Sequence, residues 1–259
     1  MQTKQCVIDN QLISYIHSEK LTDTTSHTAP ILIFLHGWGC SAHTFMPLLK
    51  RCEHDQIPFV ALDLPGFWGS PLPTSPRTIA QYTSCVHRFL QKIHLTDLAL
   101  VLVWHSFGWR IAIEYTTIYT VQKLLLTWSA WIPYQLSRYR KTLKRVASYL
   151  RPLLRFFSVR LHEHLAQKLR SSDYQSIWAH RNIFLNAISY DQTPLLKHID
   201  TPTLLLRGAN DTETPLKNAH TMHQAIPNAQ LIVYEQGWHF VFLEKTDQFY
   251  TDMYTFIHA

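Results

Sequence analysis

The chain of 259 residues contains little glycine: it has 7 Gly and 8 Trp. At the usual glycine share of about 7%, a chain of this length would have about 18 Gly. Long apolar runs are also missing, because no stretch approaches the ~18 apolar residues that cross a bilayer. The N-terminal residues show no basic region followed by an apolar stretch, so we expect neither a membrane span nor a secretory signal.

Cysteine and charge are also sparse. The four cysteines show no CxxC spacing, which predicts reduced thiols in a cytoplasmic protein rather than a disulfide framework. Charged residues make up 16% of the chain and hydrophobic residues 46%, a balance that argues against disorder and provides enough apolar material for a large core. The length is ordinary for one domain with an inserted subdomain.

Short apolar runs alternate with longer helix-like segments, a pattern that predicts an α/β fold. Runs that are apolar throughout are typical of strands buried on both faces of a parallel sheet. The predicted strands cover 6–9, 11–17, 31–35, 58–64, 99–104, 123–128, 202–208 and 230–236. The predicted helices cover roughly 42–52, 79–94, 106–119, 215–225 and 242–257. The first two strands are expected to form an antiparallel hairpin.

The region 132–195 breaks this alternation, because it contains no strand-like run. Between Arg138 and Arg170 it has ten Lys or Arg residues and a single acid, Glu163, so the whole net charge of +6 is due to this stretch. Apolar residues recur there at nearly helical spacing. The region is therefore predicted to be a helical insert.

Five local motifs follow predicted strands, at the edge where open α/β sheets place their sites. They are His36-Gly37-Trp38-Gly39, Pro65-Gly66-Phe67-Trp68-Gly69-Ser70, Trp104-His105-Ser106-Phe107-Gly108-Trp109, Gly208-Ala209-Asn210-Asp211 and Gly237-Trp238-His239-Phe240. Along the chain these motifs contain Ser106, then Asp211, then His239.

With these motifs the chain resembles the α/β-hydrolase family from about residue 5 to residue 257. The resemblance implies a mostly parallel eight-stranded sheet with helices on both faces, formed by 1–131 and 196–259, and a helical cap at 132–195. It implies that Ser106 is the nucleophile, that His239 is its base and that Asp211 orients the base. The backbone N–H groups of Trp38 and Phe107 would stabilise the oxyanion, and no cofactor or metal would be needed.

Serine at position 106 favours hydrolysis of a carboxylic ester or thioester through an acyl-enzyme. Two alternatives stay open: hydrolysis of a C–C bond in a diketone-like substrate, and an impaired family member that acts as a binding protein. The expected partner is a small-molecule or carrier-linked acyl ester. The basic insert could attract an anionic partner or an anionic membrane surface. Nucleic acid is not expected, because no binding motif accompanies the charge.

Five tryptophans occupy places where family members usually have glycine: Trp68, Trp104, Trp109, Trp131 and Trp238. The turn around the nucleophile is strained and its helix packs closely, so small residues are expected there. Overpacking a core costs ~1–3 kcal/mol per site. We therefore hypothesise that several of these residues are Gly in the source cell, because genetic codes differ in whether UGA means Gly or Trp. The hypothesis accounts for both the shortage of Gly and the excess of Trp.

Overall fold

The computed structural model describes residues 1–22, 29–127, 181–212 and 214–259. Within these ranges eight strands form one sheet in the order β1-β2-β4-β3-β5-β6-β7-β8. The strands are β1 (Gln2–Ile8), β2 (Gln11–His17), β3 (Ile31–Leu35), β4 (Phe59–Leu62), β5 (Leu100–His105), β6 (Lys123–Thr127), β7 (Thr203–Gly208) and β8 (Ala229–Tyr234). The β1–β2 and β2–β4 pairs are antiparallel, and the other neighbours are parallel. The predicted mostly parallel, eight-stranded α/β sheet is thus confirmed.

Helices cover both faces of the sheet. In the described residues they are α1 (Met46–His54), α2 (Ile79–Lys92), α3 (Gly108–Ile118), α4 (Arg181–Ser189), α5 (Leu216–Ala225), α6 (Val241–Glu244) and α7 (Thr246–His258). The alternation along β3 shows the two faces: Ile31, Ile33 and Leu35 join one core cluster, and Leu32 and Phe34 join the other. The first cluster also takes buried residues from α2, α3 and α5, and the second takes them from α1 and α7.

Some predicted boundaries differ from the structure. The helix expected over 242–257 is divided into α6 and α7, because Lys245 has φ −126° and ψ 43°, outside the helical region. The helix expected from 106 begins at Gly108, after a left-handed residue. The strand expected over 58–64 ends at Leu62.

Most of the predicted cap lies outside the described residues, including the basic stretch 138–170. The described part, 181–195, contains α4 and the start of a short 3-10 helix at Thr193–His198. Ile183 and Ala187 of α4 are buried against the core. The boundaries of the cap stay a prediction.

The strand order reverses direction around β3, whose neighbours are β4 on one side and β5 on the other. Both flanking connections run between parallel strands. Open α/β sheets bind ligands at such a switch point, outside the carboxyl ends of the strands. The residues that follow β3 and β5 are therefore the first place to look for a site. No helix among the described residues is both long enough and apolar enough to span a bilayer.

Candidate active site

Ser106 lies in a sharp turn between β5 and α3. Its φ is +46°, in the left-handed region, and the helix begins two residues later at Gly108. Its N–H donates to the carbonyl of Thr127 on β6 (3.2 Å), and its own carbonyl accepts from the N–H of Trp109 (3.0 Å). A left-handed conformation costs a non-glycine residue about 1–2 kcal/mol. The surrounding hydrogen bonds hold this conformation, and the hydroxyl is placed at the start of a helix.

Two glycines let the neighbouring elements come close to this turn. A Cβ on Gly37 would lie 2.9 Å from Ser106 Cβ and 2.9 Å from His105 Cδ2. A Cβ on Gly108 would lie 2.8 Å from the carbonyl oxygen of Leu35 at the end of β3. These separations are shorter than real Cβ contacts, so the loop after β3 and the helix after Ser106 can approach only because neither position has a side chain.

The loop that carries Trp38 is fixed by two buried polar residues. Nε2 of His36 accepts the N–H of Leu64 (3.0 Å), so its Nδ1 carries the proton and donates to the carbonyl of Gly37 (2.7 Å). The carboxylate of Asp63 accepts the N–H groups of Ala42 (2.8 Å) and Gly69 (3.2 Å). Burial lowers the pKa of His36, which keeps the ring neutral in this role.

Aromatic rings surround Trp38 at the carboxyl ends of β3 and β5. The Trp38 ring lies 5.2 Å from the rings of Phe67 and Phe107 and 5.1 Å from that of Phe184, all in edge-to-face geometry. Tyr82 packs edge-on against Phe107 at 5.4 Å. Because Phe184 belongs to α4, the described part of the predicted cap contributes a ring to this aromatic cluster. These rings form an apolar wall on one side of the site.

Asp211 and His239 are carried by two loops that follow β7 and β8. The loops touch through their backbones: the N–H of Ala209 donates to the carbonyl of Tyr234 (2.9 Å) and the N–H of Asn210 to the carbonyl of Gly237 (2.9 Å). Nδ1 of His239 lies 3.8 Å from Oδ1 of Asp211. The structure therefore brings these two predicted site residues together, although 28 positions separate them.

The Asp211 carboxylate is fully buried and has further partners. Its Oδ1 accepts the N–H of Thr214 (3.2 Å), and its Oδ2 accepts the Thr214 hydroxyl (2.8 Å) and lies 3.0 Å from Nη2 of Arg207. It does not act as the N-cap of α5, whose N-cap residue is Pro215 without a side-chain cap. A simple helix-capping role therefore does not explain Asp211.

His239 lies against the residue that precedes Ser106. Its ring centroid is 5.5 Å from that of His105, in edge-to-face geometry. Burial lowers the pKa of His239 below its ordinary value of 6.5, and the neighbouring His105 and Arg207 lower it further. Burial, with the nearby His36, lowers the pKa of His105 to about 3. Both rings are therefore neutral at physiological pH, the state that a proton acceptor requires.

The loop that carries His239 is held by a carboxylate on α6. Glu244 accepts the N–H of Trp238 through Oε2 (2.6 Å) and the N–H of Phe240 through Oε1 (3.2 Å). The two amides flank His239 in sequence, so one side chain fixes the backbone on both sides of the ring. Sequence reasoning missed this residue, because a Glu five positions after a histidine has no distinctive pattern by itself.

Sequence reasoning also missed Arg207 and Thr214, which hold Asp211. A signal was available for Arg207, since a charged residue in an otherwise apolar strand is rarely buried unless it is paired. Thr214 carried no such signal. In the described ranges, no three or more His, Cys, Asp or Glu side chains gather in a way that could hold a metal ion.

The suspect tryptophans fall into two structural groups. Trp104 and Trp109 are buried around the elbow, and neither indole N–H has a hydrogen-bond acceptor in the described ranges. An unpaired buried donor costs about 1–3 kcal/mol. Trp68 is 77% exposed and has φ +44°, and Trp238 is 55% exposed. Trp131 lies outside the described residues.

The chain belongs to the α/β-hydrolase family, because the model of that family matches residues 32–252. The matched range contains the turns after β3, β5, β7 and β8, where all five predicted site residues lie.

Two curated relatives show how broad the chemistry of similar proteins is. A poly(3-hydroxyalkanoate) depolymerase from Ectopseudomonas oleovorans is 25% identical over 232 residues, which cover 82% of this chain and 78% of the relative. A proline iminopeptidase from Lactobacillus acidophilus is 24% identical over 255 residues, covering 84% and 86%. A solved esterase structure from Exiguobacterium antarcticum matches with a TM-score of 0.71 at 21% identity, covering 100% of both chains. This structural match supports the fold alone.

Proposed function

We propose that this protein is a serine hydrolase that cleaves a carboxylic ester or thioester through an acyl-enzyme intermediate. The observation that carries the proposal is the position of Ser106: a left-handed residue between β5 and α3, preceded by a histidine whose ring contacts His239. Membership of the α/β-hydrolase family and the similarity to a poly(3-hydroxyalkanoate) depolymerase support it.

In the first half-reaction Ser106 Oγ attacks the carbonyl carbon and its proton passes to His239. The carbonyl oxygen becomes an oxyanion next to the backbone N–H groups of Trp38 and Phe107. Helix N-termini favour negative charge, and removal of one oxyanion donor typically costs ~10²–10³ in rate. The intermediate then collapses, the alcohol or thiol leaves with the proton from His239, and the acyl group stays on Ser106.

In the second half-reaction water attacks the acyl-enzyme and gives its proton to His239. Collapse of the second intermediate releases the carboxylic acid, and the proton returns to Ser106. Asp211 lies beside Nδ1 of His239 and stabilises the imidazolium that forms in both halves. No cofactor enters the cycle.

The aromatic wall formed by Trp38, Phe67, Phe107 and Phe184 favours an apolar acyl or alcohol group. The alternative C–C bond hydrolysis needs a pocket that binds a carboxylate, and these four rings provide no charged partner for one. On the side formed by these four rings, the site therefore favours an apolar group of an ester or thioester over a group that carries a carboxylate.

A fluorophosphonate probe tests the nucleophile. Labelling of the wild-type protein that is lost in Ser106→Ala supports the proposal. Ser18→Ala is the matched control, because it removes a buried serine hydroxyl that accepts the N–H of Phe59, the first residue of β4, at the opposite edge of the sheet. A series of p-nitrophenyl esters of increasing chain length, with a prolyl p-nitroanilide alongside, then separates an esterase from an aminopeptidase. Turnover of the anilide with none of the esters would overturn the ester proposal.

A second candidate is an impaired family member that binds an acyl compound without cleaving it. The buried indoles of Trp104 and Trp109, whose N–H groups find no acceptor among the described residues, favour this candidate because both lie next to the elbow. A folded protein that binds one of these p-nitrophenyl esters but shows no fluorophosphonate labelling at Ser106 would support binding over hydrolysis.

We further propose that the basic stretch 138–170 draws in an anionic or carrier-linked acyl substrate, or contacts an anionic membrane surface, in the cytoplasm. Long-range attraction between exposed charges is screened within about 8–10 Å near physiological ionic strength. The value of kcat/KM for an anionic ester should therefore decrease when the salt concentration is raised from about 20 to about 300 mM, while that for a neutral ester of equal length stays unchanged. Equal salt dependence for the two esters would contradict this proposal.

A further inference from the structure

Arg207 is a charged residue that lies buried within the sheet. It is the second-last residue of β7, where Leu204, Leu205 and Leu206 are all buried. The exposed fraction of its side chain is 2%, and that of its partner Asp211 is 0%. Taking a guanidinium out of water costs several kcal/mol unless good partners replace the water. A buried position of this kind therefore needs a structural or functional reason.

The guanidinium touches two residues of the loop that carries the proposed acid. Nη1 donates to the hydroxyl of Thr214 (2.8 Å), and Nη2 lies 3.0 Å from Oδ2 of Asp211. The Thr214 hydroxyl in turn donates to the same Oδ2 (2.8 Å). The same carboxylate oxygen thus forms an ion pair with Arg207 and accepts a hydrogen bond from Thr214, which Arg207 also contacts.

The other carboxylate oxygen faces the base. Oδ1 of Asp211 lies 3.8 Å from Nδ1 of His239 and also accepts the N–H of Thr214. A carboxylate rotates easily about its Cβ–Cγ bond unless its oxygens are held, and a rotated carboxylate would turn away from the imidazole. We infer that Arg207 is a positioning residue for the proposed hydrolysis: through Oδ2 and Thr214 it fixes the carboxylate of Asp211 so that Oδ1 faces His239. This inference rests on the proposed function.

The same guanidinium acts on His239 by its charge. Among the described residues, the charged and titratable groups around His239 are His105 on β5, Arg207 within β7, Asp211 after β7 and Glu244 on α6. Of these, Arg207 carries a positive charge that opposes the imidazolium and partly offsets Asp211. Its geometric role should affect kcat, and its charge should affect the pH at which His239 takes up a proton.

Three variants separate geometry from charge. Arg207→Lys keeps the positive charge, but a single ammonium nitrogen cannot contact Thr214 and Asp211 in the fixed planar geometry of a guanidinium. Arg207→Met removes both the charge and these contacts. Thr214→Val keeps the guanidinium and removes only the hydroxyl link. Each kcat is expressed per fluorophosphonate-titrated site, so that loss of folded protein does not count as loss of catalysis.

We expect kcat to fall about 10- to 100-fold in Arg207→Lys and Arg207→Met, with KM little changed, since misplacement of a catalytic group by about 1 Å costs up to 10²-fold. Thr214→Val should show a smaller fall in the same direction. The acidic limb of the kcat/KM profile should move to higher pH in Arg207→Met, because the charge of Asp211 is then no longer offset, and should stay in place in Arg207→Lys. Wild-type kcat per site in all three variants would overturn the inference.

The titration of His239 by NMR gives a readout that does not depend on hydrolysis. The protein is prepared with isotope-labelled histidine rings, and the resonance of His239 is assigned by its loss in His239→Gln. The pKa of His239 should rise in Arg207→Met and stay near the wild-type value in Arg207→Lys. An unchanged or lower pKa in Arg207→Met would overturn the electrostatic part of the inference. Absence of Ser106-dependent labelling in the wild-type protein would instead refute the proposed function.

Discussion

Gly208 and Gly237 touch each other across the ends of β7 and β8. A Cβ on Gly208 would lie 2.4 Å from the carbonyl carbon and oxygen of Gly237, and a Cβ on Gly237 would lie 3.0 Å from Cα of Gly208. Asp211 lies three residues after Gly208, and His239 lies two residues after Gly237. The short contact between the proposed acid and the proposed base therefore depends on two positions without side chains.

Replacing Gly208 with alanine should separate the two loops. The new methyl group meets backbone rather than a flexible side chain, so the loops must move, and we expect a loss of more than about 3 kcal/mol of stability together with loss of hydrolysis. Urea unfolding followed by fluorescence measures the stability. Gly39→Ala is the matched control: Gly39 has φ +72° but no atom within 4 Å of its Cβ position, so only the strain of about 1–2 kcal/mol is expected. Equal losses in the two variants would contradict the prediction.

Acidification should destabilise the protein because neutral histidines are buried beside the site. His36 and His105 are fully buried, and burial lowers the pKa of each below 6.5, to about 3 for His105. Between pH 6.5 and about pH 3 the imidazole of His105 is protonated in the unfolded chain but neutral in the folded chain. The free energy of unfolding therefore falls as the pH falls through this range, and His36 contributes in the same direction. The slope is about 1.4 kcal/mol per pH unit for each such histidine.

Denaturant unfolding at pH 7, 6 and 5 measures this slope. The His105→Gln variant has one fewer histidine that takes up a proton on unfolding. The free energy of unfolding of this variant should therefore fall less steeply between pH 6 and pH 5 than that of the wild-type protein. Parallel curves for the two proteins would show that His105 does not stay neutral in the folded state.

Replacing Trp104 and Trp109 together with glycine should increase Ser106-dependent labelling. Both indoles are buried beside the elbow, and in the part of the chain that the structure describes their N–H groups have no acceptor, so their removal takes away the cost of two unpaired buried donors. Labelling and thermal melting are measured on the same preparations. Trp38→Gly is the comparison variant: it removes ring contacts with Phe67, Phe107 and Phe184, so labelling should fall. A double variant that loses ~3–5 kcal/mol or more, as an ordinary large-to-small core substitution does, would contradict the hypothesis that glycine belongs at these positions.

Trp68→Gly should stabilise the protein by about 1 kcal/mol. The residue has φ +44°, which glycine adopts without strain, and its indole is 77% exposed, so little burial is lost. Thermal melting of the single variant is sufficient to measure the change. His94→Gly is a suitable reference, because His94 also has a left-handed φ, of +60°, in a turn distant from the site. A decrease in melting temperature for Trp68→Gly alone would mean that the indole makes a stabilising contact.

The coding DNA tests the origin of the tryptophans directly. If these positions are glycine in the source cell, the codons at 68, 104, 109, 131 and 238 should be UGA. Trp38 occupies a usual tryptophan place in its motif, so its codon should be UGG. UGG at the five suspect positions would exclude the hypothesis, and mass spectrometry of the native protein would give the same answer at the level of the peptide.

Much of the fold could be predicted from local patterns. The apolar run 31–35 has no polar position, which identified a strand buried on both faces, and β3 occupies the same residues. The apolar run at 202–208 likewise gave β7. The boundaries of helices were not predicted where a single residue leaves the helical region, as Lys245 does between α6 and α7. Such a deviation depends on packing that no local pattern records.

The site could be predicted in part. Motif order identified Ser106, Asp211 and His239 as one group, and the structure brings Asp211 and His239 within 3.8 Å. Arg207, Thr214 and Glu244 were not predicted. Each acts across a turn or from another element, and only the folded chain shows which carboxylate oxygen or which amide it meets.

The sequence by itself determined the alternation of buried strands and amphipathic helices, and it placed the reactive residue types in the turns that follow the strands. These properties are local: periodicity, turn residues and the order of the motifs carry them. The tertiary structure alone decided which turns meet, because strand order and the close approach of Gly208 to Gly237 arise from packing between distant segments. It also decided that a buried guanidinium lies next to the proposed acid, since burial and pairing of a charge depend on every element that surrounds it.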